Sequence, residues 1–564
     1  MDNQRNMILA IVLSALVLIG WTALSERFFP QPKTPVTATA PTMTAGTTPA
    51  APVATQVARM DVSRALGASP RIAIETPRLK GSINLKGAVI DDLVLLSHKE
   101  TIKKDSLPVR LLAPATATNS YFAGFGWSGD GLIAPDSNTV WQADGAVLTP
   151  EKPVMLAWAN TNGQRFTIKI AVDNDYLFTI TQRLENAGAS AVGVRPYGFV
   201  SRFGKSKDAS TWTNHVGPVG AFNGAMNYKV NWKDIDEAAA TGEHFQSKGG
   251  WIGFGDHYWL TALVPAQTSN IDAAFRTGNG NYQAEFAVPQ ALVGPGAVSA
   301  STSRLFAGAK EVNTLDAYQD AGVPLFDKAI DWGWFELIEK PIFYYLDWLF
   351  KMVGNFGVAI LLLTLTVRGL MFPIAQRQFA SMAAMRVVQP KLKALQERYK
   401  DDKPKLQQEM MALYQTEKII PMAGCLPIFL QIPVFYALYK VLMLTIEMRH
   451  QPFALWIHDL SAPDPATVLN LFGLLNFTPP GFLALGIFPI ILGITMFLQF
   501  KLNPAPMDPV QQQMFSIMPW VMMFMMAPFA AGLQLYWIMS NLLTIAQQKW
   551  LYSRHPALRA PVKT

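Results

Sequence analysis

Five apolar stretches crowd into the last part of this chain, at residues 352–372, 419–445, 482–500, 514–528 and 531–549. A helix needs about 20 consecutive apolar residues to cross a bilayer, and most of these stretches come close to that length. Several carry proline, which membrane spans tolerate because neighbouring helices re-satisfy the freed backbone groups. Only 15% of residues are charged, against roughly 25% in soluble domains. A sixth apolar run, 7–24, follows Arg5 and precedes Glu26 and Arg27. The nearest small-x-small pattern, Ala38-Thr39-Ala40, lies well beyond it, so an uncleaved anchor is predicted over a secretory signal.

The placement of charge orients these spans. The 564 residues carry a net +7, yet residues 57–330 hold 25 basic and 25 acidic side chains. The excess therefore lies outside that region. Nine basic and five acidic residues fall in 377–418, and Lys549, Arg554, Arg559 and Lys563 follow the last span. Basic residues in short loops mark the cytoplasmic side. The loop 446–481, with Arg449 as its single Lys or Arg, is then external. Six spans with both termini in the cytoplasm are expected. No aromatic-basic interleaving or recognition motif accompanies the charge, so no specific nucleic-acid site is predicted. The lone Cys425 excludes an internal disulfide framework and a cysteine-based zinc site.

Texture divides the chain further. After the anchor (1–28), residues 29–56 are rich in Ala, Thr and Pro and read as an extended tether. Residues 57–330 alternate apolar and polar positions, as in Gln164-Arg165-Phe166-Thr167-Ile168-Lys169-Ile170, between turns such as Asn162-Gly163 and Asp130-Gly131. That pattern predicts a large β sandwich, all-β and outside the membrane. Dense aromatics with interspersed charges over 331–351 predict an amphipathic helix lying in the membrane interface. The polytopic α-helical membrane core occupies 352–550, and 551–564 is a basic tail. Within the core, the three-and-four spacing of Val388, Leu392, Leu395 and Tyr399, and of Leu406, Met410 and Leu413, predicts a helical hairpin over 376–418. Asp402 is a candidate cap and Pro404 stands near a helix start.

Arg368 is the one charge well inside a span. With the span taken as 352–372, it lies six residues past the midpoint, about 9 Å towards the cytoplasm. Snorkelling to the interface is one reading. The other is a wet cavity inside the bundle, because charges within spans usually line a pathway. Thr364 lies one turn earlier on the same face, and Gln431, Gln499, Gln534, Tyr536 and Asn541 are further polar side chains at membrane depth. Met514, Met518, Met522, Met523, Met525 and Met526 form a flexible apolar run, suited either to varied apolar sequences or to core filling. His98, His215, His244 and His257 in the β region follow no catalytic pattern, and isolated surface histidines are expected. Neither a phosphate loop nor a His-Glu-x-x-His helix nor a Gly-x-Ser-x-Gly elbow is present, so the chain is read as a non-enzyme without cofactor or metal.

Several strings carry a family resemblance. Leu365-Thr366-Val367-Arg368-Gly369, Gln389-Pro390-Lys391, Gly424-Cys425-Leu426-Pro427-Ile428-Phe429 and Pro452-Phe453-Ala454-Leu455-Trp456 resemble motifs of the YidC membrane-protein insertases, as does Gly532-Leu533-Gln534-Leu535-Tyr536-Trp537. Gly81-Ser82-Ile83-Asn84-Leu85-Lys86-Gly87 and Asp331-Trp332-Gly333-Trp334-Phe335 resemble the Gram-negative form with its large periplasmic domain. The resemblance implies a bacterial inner-membrane protein with a periplasmic β super-sandwich of sugar-mutarotase type and a five-helix core. It implies a substrate groove of Arg368, Thr364, Gln431, Gln499, Gln534, Tyr536, Trp537 and Asn541, and a greasy slide of Met514, Met518, Met522 and Met525. Trp537 stands where a second tyrosine is expected after Tyr536. The implied partners are nascent membrane proteins, the Sec translocon, the lipid bilayer and the ribosome, the last through the basic hairpin and tail. A transporter with an extracytoplasmic sugar-binding domain is the alternative; it would show inverted repeats among the spans, and none is visible.

Overall fold

The computed structural model describes residues 59–208, 214–400, 402–417, 426–472, 475, 477, 484–502 and 509–554. The predicted anchor, the tether and the tail beyond 554 lie outside these residues.

Twenty strands between Arg71 and Ala309 form an eleven-stranded and a nine-stranded sheet. The strand Leu177–Asn186 shows why. Phe178, Ile180, Gln182 and Leu184 point into the core while Thr179, Thr181, Arg183 and Glu185 point outward, the two-residue period of a half-buried strand. It pairs in register with Val298–Ala309 on one side and Gln164–Val172 on the other. Tyr121–Ser128, in the larger sheet, is buried on both faces. Its glycines make that possible. A Cβ on Gly124 would lie 2.7 Å from the Phe199 ring, and one on Gly126 would lie 2.6 Å from the Tyr197 hydroxyl. The aromatic rings of the neighbouring strand occupy the space that side chains would take.

Two short helices, α1 (Val62–Leu66) and α2 (Trp232–Ala238), decorate the sandwich, and α3 (Val312–Asp320) closes it. Helix α4 (Glu336–Val353) then carries the chain into the helical part. It buries Phe343, Leu346 and Leu349 on one stripe and leaves Leu337, Tyr344, Trp348 and Met352 exposed. Its polar side faces the sandwich. Lys340 pairs with Asp327 and Glu336, and Lys328 also pairs with Glu336.

Helix α5 (Phe356–Arg398) follows at once. Gly354, left-handed at φ 70°, ends α4, and the Asn355 side chain accepts from Val358 N at 3.1 Å to start α5. This break corrects the expected span. Its apolar part is Phe356–Gln376, centred on Thr366, so Arg368 stands two residues, about 3 Å, past the centre instead of six. The helix then runs on unbroken through Arg398 into the first arm of a helix–turn–helix. The second arm is α6 (Lys403–Thr416), capped by Asp402, whose side chain accepts from Lys405 N. Val388 and Leu392 are buried against Met410, Leu413 and Tyr414, a small core separate from the main one.

The remaining helices are α7 (Leu426–Leu444), α8 (Ile487–Leu502), α9 (Pro509–Met526) and α10 (Ala531–Arg554). Among the described residues, Phe356–Gln376 is the one helix long and apolar enough to cross a membrane by itself; Ile432–Leu444, Ile487–Leu502 and Ser516–Met526 are shorter apolar helices. Helix α10 packs on α8 and α5, and α9 packs on α8. One apolar core runs without interruption from the sandwich strands into these helices.

Candidate functional site

Between α5 and α10 lies a cleft of about 400 Å³, lined by Leu365, Arg368, Gly369 and Phe372 on one side and Leu543, Ala546, Gln547 and Trp550 on the other. Gly369 presents no side chain here, and a Cβ at that position would meet nothing within 4 Å. Phe372 and Trp550 close one end with their rings 5.8 Å apart. The Arg368 guanidinium donates to the Ser540 hydroxyl through Nε at 3.0 Å and also through Nη2. Tyr536 is its electrostatic neighbour. Among the described residues, no carboxylate lies within ion-pair distance of Arg368. A full positive charge thus sits near the centre of an apolar helix, held by a neutral hydroxyl.

The other polar residues singled out in the sequence separate into different roles. Thr364 is buried and its hydroxyl donates to Ile360 O at 2.7 Å, one turn back along α5. Gln534, also buried, donates to Met526 O and Phe529 O and so pins the turn between α9 and α10. Asn541 donates to Thr495 on α8 at 3.2 Å. Trp537 packs its ring on Phe435 of α7 at 4.8 Å. Gln499 is half-buried on α8. The Gln431 and Met514 side chains lie outside the described residues. Met518 and Met522 are half-buried, whereas Met525 is exposed with Ile517, Trp520, Val521 and Phe524 as one apolar face of α9.

Sequence reading missed Ser540 and Gln547. They stand four and eleven residues after Tyr536, on one stripe of α10. The amide nitrogen of Gln547 is buried without a hydrogen-bond partner among the described residues, next to Arg368.

In the sandwich, the expectation of isolated surface histidines holds for His244 alone, which is exposed. His98 is half-buried against Glu311 at 3.1 Å and lies edge-on to Trp259. Burial opposes the charge of Glu311, but hydrogen bonds from His98 and Arg78 outweigh it and hold the carboxyl at about 2. His215 and His257 are pushed down by burial and stay neutral; each donates from Nε2 to a carbonyl, of Pro218 and Met443 respectively. His257 meets the helical part through Met443, whereas His98 and His215 pack on Trp259 and Tyr228 of the sandwich itself, contacts that no local pattern announces.

Where sandwich and helices meet stand two glutamates, Glu339 buried and Glu447 half-buried with its carboxylate enclosed. Glu339 on α4 has both carboxylate oxygens without a hydrogen-bond partner, and burial raises it to about 7 against the pull of Lys440. Glu447 accepts from Val312 N at 3.0 Å, and burial raises it to about 8.

A β sandwich rooted through an amphipathic helix in an apolar helical bundle is the architecture of an inner-membrane protein with a large periplasmic domain. Two family models divide the chain accordingly: the YidC periplasmic domain matches residues 71–345 and the 60Kd inner membrane protein family matches residues 348–558. A membrane protein insertase YidC from Zymomonas mobilis is 49% identical over 98% of this chain and 96% of its own length. One from Granulibacter bethesdensis is 45% identical over 99% of each. A crystal structure of an active YidC insertase is 17% identical, covers 85% of this chain and 92% of its own, and superposes with a TM-score of 0.36; the assignment rests on the curated relatives instead. The chain belongs to the YidC family of membrane protein insertases. Relatives that match both the sandwich and the bundle are insertases, and this sets aside the transporter alternative.

Proposed function

We propose that this protein inserts nascent membrane proteins into the bacterial inner membrane, with the Arg368 cleft as the entry point for their polar flanks. The observation that supports this reading is the unneutralised guanidinium near the centre of the apolar helix Phe356–Gln376, bordering a cleft of about 400 Å³. A charge in hydrocarbon is costly and persists where it does work. An acidic or polar flank is drawn to Arg368, with Gln547 on the cleft wall as a further polar contact and Tyr536 behind Arg368 as its electrostatic neighbour. The apolar segment that follows partitions into lipid, gaining about 25 cal/mol per Å² buried. That burial drives the process, so neither a nucleotide nor an enzymatic step is needed. The exposed apolar face of α9, with Met525, is the surface along which the segment leaves.

The topology in this reading has six spans, counting the anchor 1–28, with both termini in the cytoplasm and the sandwich in the periplasm. The hairpin of α5 and α6 then projects into the cytoplasm. Its net positive charge, with that of the tail, meets the translating ribosome, while clients that need a channel arrive from the Sec translocon. The proposed groove extends over Thr364, Gln431, Gln499, Gln534, Trp537 and Asn541; of these, Gln534 and Asn541 also tie the helices together through Met526 O, Phe529 O and Thr495. Photo-crosslinkers placed at Leu543, Gln547 and Tyr536 should capture a stalled nascent membrane protein. Crosslinks absent from all three positions, with crosslinks retained elsewhere on the bundle, would reject the cleft as the entry point.

A further inference from the structure

A second cleft, of about 350 Å³, opens at the opposite end of the bundle from Arg368. Its floor includes Tyr439 and Met443 from the last two turns of α7, and Phe529 and Ala530 from the turn between α9 and α10. Its roof is His257 and Tyr258, on the turn that joins sandwich strands Trp251–Gly255 and Trp259–Val264. The cleft is therefore shared between the sandwich and the span ends. Its size falls in the range of about 300–1,000 Å³ typical of small-molecule sites.

The lining is mostly apolar, with the hydroxyls of Tyr258 and Tyr439 among its few polar groups. His257 Nε2 already donates to Met443 O at 2.8 Å, and the Ser461 hydroxyl, the polar group across the cleft, already donates to Asp459 at 2.6 Å. The remaining surface is aromatic and aliphatic, with the Tyr439 and Phe529 rings 6.1 Å apart. The rim differs in character. The Arg449 guanidinium lies over the rings of Tyr258 and Trp259, at 5.8 and 5.3 Å, and places a positive charge beside the roof; it also donates to Lys99 O and Glu100 O, at 2.8 and 3.3 Å, with Asp459 and Asp208 as charged neighbours. An apolar cleft with a cation at its rim complements a molecule with a hydrocarbon body and an anionic head.

We propose that this cleft is a phospholipid site that takes one acyl chain from the outer leaflet and leaves the phosphate near Arg449. The chain fills the gap between the span ends and the sandwich, so lipid becomes part of the joint between the two bodies. The placement rests on the topology proposed above, in which these helix ends face the periplasmic leaflet.

The test reconstitutes the full chain in phosphatidylethanolamine–phosphatidylglycerol vesicles that contain a phospholipid with a diazirine near the ester end of one acyl chain. After irradiation, adducts are expected on Tyr258, a sandwich residue, as well as on Phe524, which is exposed on α9. Ala530→Trp narrows the cleft and should remove most of the Tyr258 labelling while Phe524 labelling stays unchanged. Ala530→Phe gives a milder version of the same loss. Labelling of Phe524 without Tyr258 overturns the site, as does Tyr258 labelling that survives both variants. Absence of both adducts overturns the bilayer placement and the site with it. A diazirine fatty acid that labels Tyr258 in preference to the phospholipid, at equal mole fraction, overturns the assignment to phospholipid.

Discussion

Arg368 differs from a structural ion-pair residue because its described side-chain partner, Ser540, is neutral. An attracting charge and a rigid hydrogen-bonding clamp predict different substitution patterns. For a client with an acidic translocated flank, Arg368→Ala removes an attraction of about 1–3 kcal/mol at an effective dielectric of about 20, roughly 5- to 150-fold in insertion. A client with a neutral flank should be little affected. Arg368→Lys keeps the charge and should retain much of the activity, since a point cation lacks only the bidentate geometry. Insertion efficiency of paired clients that differ in flank charge alone is the measurement; equal losses for both in the alanine background reject the attractor role. At the same scale, Glu339 makes stability depend on pH. Its carboxyl is raised from 4.5 to about 7, so between those values the native state binds more protons than the unfolded one. Stability is therefore full below about pH 4.5 and falls as pH rises through about 7, by about 3 kcal/mol. Glu339→Gln should flatten that part of the thermal-stability profile and raise the melting temperature at pH 8. Parallel profiles for variant and parent would show that Glu339 does not titrate in this window.

Among the elements, α5 carries two environments in one helix. Its first half is apolar and ends the search for a span; its second half forms a separate small core with α6 through Val388, Leu392, Met410 and Leu413. Among the described residues the hairpin core is separate from the main one, and the bundle is expected to fold without it. Replacing residues 380–415 with a short Gly/Ser linker should leave expression and protease resistance of the bundle near normal while reducing insertion severalfold. Normal insertion by a stably expressed hairpin-deleted protein would remove the hairpin from the mechanism. Helix α4 is the complementary case. It cannot be shortened freely, because Phe343, Leu346 and Leu349 belong to the continuous core and Lys340 ties it to Asp327.

Across the whole molecule, the sandwich is joined to the bundle through α4, where Lys340 meets Asp327 and Asp316, and through a short stretch at the end of α7 and just beyond. Lys440 donates to Asp331 O, Met443 O accepts from His257, Glu447 accepts from Val312 N, and Arg449 donates to Lys99 O. The Arg368 cleft lies elsewhere, built by α5 and α10 alone. Removing residues 59–322 and rejoining the tether at Val323 should therefore leave insertion of simple clients largely intact. The same deletion exposes Glu447 to solvent and should lower its pKa from about 8 towards the ordinary glutamate range. Loss of all insertion by a bundle that still folds would show that the sandwich takes part in the step itself.

The sequence by itself determined the features that hydrophobic periodicity carries locally. The two-residue alternation of Gln164–Val172 became a strand, the 3.6-residue spacing from Val388 became a helical arm, and Asp402 became a cap. It also determined that an arginine would stand inside an apolar helix. Only the tertiary structure decided how each helix is rotated against its neighbours. That rotation turned Thr364, Gln534 and Asn541 towards bonds within and between helices and set Ser540 against Arg368. The break at Gly354–Asn355, which moved Arg368 towards the span centre, depended on whether α4 and α5 pack as one helix or two. Glu339 and the buried histidines were illegible for a related reason. Burial is a property of what covers a residue, and the covering surface comes from a distant part of the chain.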